Sequence, residues 1–152
     1  MHLKTKLLLF GSLALGLILF WNTYAAEPSI IVYKDANCGC CSIWADHLTA
    51  NGFQVTVHDV DNISYYRQRH GVPAALSSCH TAIVDGYTIE GHVPAADIHA
   101  LLEERPEARG LAVPGMPLGS PGMDTGPDRE PYSVFLFDDT DSHSVYREYL
   151  AN

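Results

Sequence analysis

Basic residues are scarce in this chain of 152: nine Lys and Arg stand against 18 Asp and Glu, for a formal charge of −9. No segment gathers enough positive charge to neutralise a row of phosphates, which sets nucleic acid aside as a partner. Long apolar runs are missing too. The longest, Leu7 to Trp21, spans about 15 residues, short of the ~20 that a membrane-spanning helix needs. No internal repeat is present beyond a pair of Pro-Gly-Met units. Cysteine is confined to four residues, and three of these, Cys38, Cys40 and Cys41, fall within one tetrapeptide; the fourth is Cys79.

Residues 1–25 read as an export signal. His2, Lys4 and Lys6 form a basic start, Leu7 to Trp21 an apolar middle, and Thr23-Tyr24-Ala25 a small-x-small cleavage site; retention as an N-terminal anchor is the alternative. Removal leaves residues 26–152, enough for one compact domain and hardly for two. Losing Lys4 and Lys6 takes the charge from −9 to −11. Such acidity serves solubility first, and could also concentrate cations near the surface.

Export changes how the cysteines are read. By default, four cysteines in an oxidising compartment form two structural disulfides. Here the neighbours Cys40 and Cys41 are poor partners for each other, and only one of the clustered three can reach Cys79 at a time. One structural disulfide with two spare thiols is one outcome, and a functional cluster is the other. Cys38 and Cys41, at i and i+3, have the spacing of a redox pair, yet a third thiol between them offers competing disulfides. A soft metal ion suits that crowding better, because thiolates can bridge metals.

Ser29–Tyr33 and Gln54–Val60 are β-branched-rich runs. Between them Cys41–Asn51 has helical spacing, with Ile43, Trp44, Leu48 and Cys41 on one side and Gly52 as its stop. This β-α-β unit places the cysteines at its first strand-to-helix turn. Asp61-Asn62 caps a second helix, Ile63–His70, and Val72-Pro73 leads into a loop. Thr81–Val84 and Tyr87–Glu90 form a hairpin about Asp85-Gly86, and Pro94 opens a third helix, Ala95–Glu104. From 106 to 131 six prolines and five glycines make a long loop that carries Met116 and Met123, each after Pro-Gly. Residues 132–149 close the chain as two strands, or a strand and a short helix. The order predicts an α/β fold of thioredoxin-like type, a central mixed sheet flanked by helices, with a Pro/Gly/Met-rich C-terminal extension.

At the start of a helix, amide dipoles favour thiolate, most of all at Cys38 and Cys40. In thioredoxin-like folds a cis-proline opens the strand facing the CxxC. Here His80 takes that place before Thr81-Ala82-Ile83-Val84, with Pro73 as the rival, so Cys79 faces the other three sulfurs. Zinc would accept four thiolates, but three cysteines in one tetrapeptide bridge several ions more readily than they fill corners around one. Cu(I) tolerates bridging sulfur, and Met116 or Met123 would complete its ligands. His80 is a ligand or a donor behind one, and His92 a ligand or a local cap. His47, His58, His70, His99 and His143 read as surface or edge residues, Met116 and Met123 alternatively as loop packing, and Tyr132, Phe135 and Phe137 as core.

Four motifs in order, Cys38-Gly39-Cys40-Cys41, Ser78-Cys79-His80-Thr81-Ala82, Gly91-His92-Val93-Pro94-Ala95 and Gly110-Leu111-Ala112-Val113-Pro114-Gly115-Met116-Pro117, together resemble the CopG-like copper proteins. These are periplasmic proteins of Gram-negative bacteria, and the resemblance spans about Ile30 to Tyr149. It implies a thioredoxin domain whose C-terminal extension helps to bind metal, and a cysteine-bridged cluster of several copper ions at Cys38, Cys40 and Cys41. Cys79 and the methionine loop are assigned to the rest of that site. It further implies a role in copper resistance, by interconverting Cu(I) and Cu(II) for detoxification or export, with copper and a periplasmic copper exporter or chaperone as partners. Nothing in the chain demands more than a monomer. A passive copper store or chaperone shares every ligand, and a thiol–disulfide oxidoreductase would use Cys38 and Cys41.

Overall fold

A computed structural model describes residues 26–124 and 126–151, so the expected export signal lies outside the described residues. Among the described residues no helix is long and apolar enough to cross a membrane. The elements follow the order β1 (Ser29–Lys34), α1 (Gly39–Ala50), β2 (Gln54–Asp59), α2 (Ile63–Arg69), a 3₁₀ turn (Ala74–Leu76), β3 (His80–Val84), β4 (Tyr87–Glu90), α3 (Ala95–Glu104), β5 (Gly110–Ala112), β6 (Tyr132–Phe137) and β7 (His143–Tyr149). All seven strands join one mixed sheet in the order β2-β1-β3-β4-β5-β6-β7. β1 runs parallel to β2 and β4 to β5, while the other neighbours are antiparallel.

Alternation along β1 sends Ile30 and Val32 into the main core with Trp44 and Leu48 of α1 and Ile98 and Leu101 of α3. Burying such side chains fully contributes roughly 1.5–3 kcal/mol each, so this layer fixes where α1 begins. Tyr33, on the opposite face, stacks on Tyr66 of α2 at 4.3 Å. A smaller cluster of Val72, Leu76, Ala112 and Phe137 forms separately.

Three expectations need correction. Residues 106–131 are not loop throughout, because Gly110–Ala112 forms β5 between β4 and β6. Gly110 is needed there: a Cβ would overlap the Thr88 backbone of the parallel neighbour. Phe135 and Tyr132 are half-buried: Tyr132, Val134 and Leu136 face the main core and Phe135 and Phe137 the smaller cluster on the other face, and only Val134 and Phe137 are fully enclosed. On α1, Ile43 is exposed and Ala45 buried, so the inward face is Cys41, Trp44, Ala45 and Leu48.

Two features of this frame converge. α1 begins one turn after β1 ends, with Cys38 as its N-cap. β3 lies antiparallel to β1 with His80 opposite Lys34. Cys79, one residue before β3, therefore meets the cysteines that follow β1.

Candidate metal centre

Cys38, Cys40, Cys41 and Cys79 bring their four sulfurs within 4.8 Å of one another. Cys38 and Cys41, held one helical turn apart at the start of α1, are joined as a disulfide, while Cys40 and Cys79 are free thiols. The Cys40 sulfur sits 3.5 Å from that of Cys38. Cys41 is fully buried, and the other three are partly exposed.

Two imidazoles extend the group. The ligating atoms of Cys79, His80 and His92 also lie within 4.8 Å of one another. The Cys79 sulfur is 3.1 Å from His92 Nε2 and 3.3 Å from His80 Nδ1. His92 Nδ1 lies 2.8 Å from the Pro121 carbonyl, which can only accept. The proton is thereby assigned to Nδ1, leaving the Nε2 lone pair turned toward Cys79, the arrangement in which histidines bind metal. His80 packs against Trp44 at 4.3 Å and edge-on to His92 at 5.0 Å. Its Nε2 is buried with no hydrogen-bond partner in the protein, an open donor position on a fully buried ring.

The local electrostatics keep both rings neutral. Burial holds His80 well below its ordinary value, and neighbouring His92 and Lys34 push the same way. Burial lowers His92 as well, against the pull of the Pro121 carbonyl. Cys79 is pushed up to about 12, chiefly by burial; Cys40 adds to the rise and the Ser78 hydroxyl opposes it. Without metal Cys79 is a thiol, and a cation bound there would have to displace its proton.

The methionine loop is fastened to this site at both of its Pro-Gly-Met units. Gly115 donates its N–H to the Ser77 carbonyl at 3.1 Å, and its own carbonyl accepts from the Ser78 hydroxyl. Gly122, with φ +85°, passes so close to α1 that a Cβ would stand 2.7 Å from the Cys40 carbonyl. Met116 itself is 51% exposed and Met123 half-buried. The loop thus reaches the cysteines through its backbone, with the two methionines beside the points of attachment.

Several residues that shape the site carried no recognisable motif. Glu90, fully buried at the end of β4, accepts from Ser78 N–H at 2.7 Å, Arg67 Nε at 2.9 Å and Thr81 Oγ1 at 2.6 Å. Arg67 also donates to the Ser78 carbonyl. Together they grip the residue before Cys79 from both sides. Trp44 donates to the Val93 carbonyl at 2.8 Å, tying α1 to the segment that bears His92. His47 is half-buried rather than a plain surface residue: its Nε2 accepts the Ala95 N–H at the start of α3. Pro73 precedes the 3₁₀ turn, and no cis peptide bond occurs among the described residues.

Comparison with known proteins follows the same residues. Residues 76–123 match the family described as "Protein of unknown function, DUF411", a span that takes in Cys79, His80, His92 and both methionines but not the Cys-x-Cys-Cys motif. No curated protein matches the chain. Two solved structures, the copper resistance protein copG in its Form 2 and its Form 1, are each 50% identical to it with a TM-score of 0.77. The alignments cover 81% of this chain and 98% of the Form 2 chain, and 82% and 99% for Form 1. At that identity over nearly the whole of the solved chains, with the cysteine cluster in place, this protein belongs to the CopG copper resistance family.

Proposed function

We propose that the protein is a periplasmic copper-binding protein, exported by its N-terminal signal. It would hold several copper ions bridged by Cys38, Cys40, Cys41 and Cys79 and interconvert Cu(I) and Cu(II) in copper resistance. The observation that carries this reading is the convergence of four sulfurs within 4.8 Å from two distant parts of the chain. Sulfur is soft and favours Cu(I), whereas imidazole nitrogen also serves Cu(II). A donor set with both, sharing Cys79, can keep copper through a change of valence. His92 would be a ligand through Nε2, His80 through its unpartnered Nε2 or as support to Cys79, and Met116 and Met123 would add thioether sulfur from the loop. Cys38 and Cys41 must first be reduced before all four sulfurs can donate.

The arrangement β2-β1-β3-β4, with β1 and β2 parallel and the cysteines at the β1–α1 turn, supports a thioredoxin-like domain within residues 26–152. On this reading 106–131 and 132–149 are the extension that closes over the metal. A copper exporter or chaperone would receive the ions.

The test is Cys40→Ser, which preserves the Cys38–Cys41 pair and removes only the intervening thiol. Copper bound per chain should fall to one or none; full loading would contradict bridging through Cys40. A second reading, thiol–disulfide exchange, is favoured by one observation: Cys38 and Cys41 are already a disulfide at a helix start.

A further inference from the structure

Reduction of Cu(II) to Cu(I) needs electrons, and two thiols outside the Cys38–Cys41 pair stand beside the site. Cys40 and Cys79 are both free, both only partly exposed, and their sulfurs lie within 4.8 Å of each other. A disulfide needs about 2.05 Å between sulfurs, so the two thiols stand within reach of a short approach. Each thiol also has its place fixed. Gly122 packs over the Cys40 carbonyl, and Glu90 and Arg67 hold the residue before Cys79.

We infer that Cys40 and Cys79 close as a second disulfide beside Cys38–Cys41, making the four sulfurs an electron store that reduces Cu(II) to Cu(I). The inference rests on the copper reading and supplies its missing reductant. For each pair, two thiols give up two protons to solvent and two electrons to two Cu(II) ions. One S–S bond forms and two Cu(I) ions result. The fully reduced chain, with four thiols, therefore reduces four Cu(II). The chain with Cys38–Cys41 already closed reduces two. Copper loading and thiol oxidation are then alternative states of the same sulfurs. The oxidised chain keeps only imidazole and thioether donors, so Cu(I) passes to an acceptor that offers thiolates, and a dithiol donor would recharge the site.

The experiment starts from the reduced chain under anaerobic conditions, with Cu(II) sulfate added in the presence of an excess of a chromogenic Cu(I) chelator. Free thiols are then alkylated and the disulfides mapped by mass spectrometry. Four Cu(I) per chain, with Cys38–Cys41 and Cys40–Cys79 linked peptides, is expected; Cys79→Ser should drop the yield to two. A parallel arm replaces copper with diamide, which oxidises thiols without metal. Should diamide leave Cys40 and Cys79 open to alkylation, the pairing is wrong whatever copper does. Should diamide close the pair while Cu(II) yields no Cu(I), the electron store fails, whereas copper binding is judged separately by the metal content of the reduced chain. A wild-type yield of two Cu(I), with Cys40 and Cys79 alkylated, would also overturn the inference.

Discussion

Glu90 offers the sharpest test of how the fold holds Cys79 in place. Its carboxylate is fully buried and is the common acceptor for Ser78 N–H, Thr81 Oγ1 and the Arg67 guanidinium. Glu90→Ala leaves all three donors facing a cavity, and breaking a buried pair from one side costs about 3–5 kcal/mol. Glu90→Gln keeps one carbonyl oxygen for Ser78 and Arg67, and its amide can donate to Thr81, whose hydroxyl rotates to accept. Only the charge is lost, and its burial already works against the ionised form, so Gln stays within about 1 kcal/mol of wild type. Urea denaturation at neutral pH should therefore place Gln close to wild type and Ala well below both. Cys79 should alkylate fastest in the Ala variant, since Ser78 is no longer gripped. The pH profile adds a sign. Burial raises Glu90 above its ordinary value despite Thr81, Ser78 and Arg67 pulling the other way. The folded state thus binds the proton more tightly, and Glu90's contribution to stability declines as pH rises from the ordinary glutamate value through the higher folded one. Across that acidic window the wild-type advantage over Glu90→Gln should shrink with rising pH. Equal destabilisation by Gln and Ala, or an advantage that grows with pH, would refute the reasoning.

Met116→Ala should leave urea stability within about 0.5 kcal/mol, since the side chain is half exposed, yet weaken copper binding about tenfold, ~1.4 kcal/mol. An unchanged affinity in a competition titration would remove Met116 from the site. Gly122→Ala should cost roughly 1–2 kcal/mol for a left-handed residue with a Cβ. It should also lift the loop from α1, because that Cβ would stand 2.7 Å from the Cys40 carbonyl and 3.0 Å from Trp44 N; hydrogen exchange at Met123 and faster copper loss are the readouts, and an unchanged loop would contradict the packing.

Much of this architecture is legible in the chain because local signals are strong. Asp85-Gly86 marks its hairpin, Pro94 opens α3, and the run Tyr132–Phe137 matches β6. β5 is not legible: three residues in a Pro/Gly-rich stretch show no period, and Gly110 is there for close approach to Thr88 rather than for a turn. Phe135 misleads because β6 carries apolar residues on both faces, and its own face packs on a small cluster that covers it only in part. The sulfur cluster is foreseeable because three cysteines are adjacent and the fourth heads a strand opposite them. Glu90, Arg67 and the Pro121 carbonyl are not, since each acts across a long sequence separation through hydrogen bonds that leave no pattern. His47 shows the same limit, reaching from α1 to Ala95 as a cap supplied by another element.

The most direct test of the central claim is elemental analysis joined to X-ray absorption spectroscopy on protein purified from copper-supplemented cells. The account predicts several copper ions per chain, sulfur-dominated coordination and short copper–copper scattering. A single zinc ion per chain, or no copper even after the chain is fully reduced and reloaded with Cu(I) under anaerobic conditions, would contradict it.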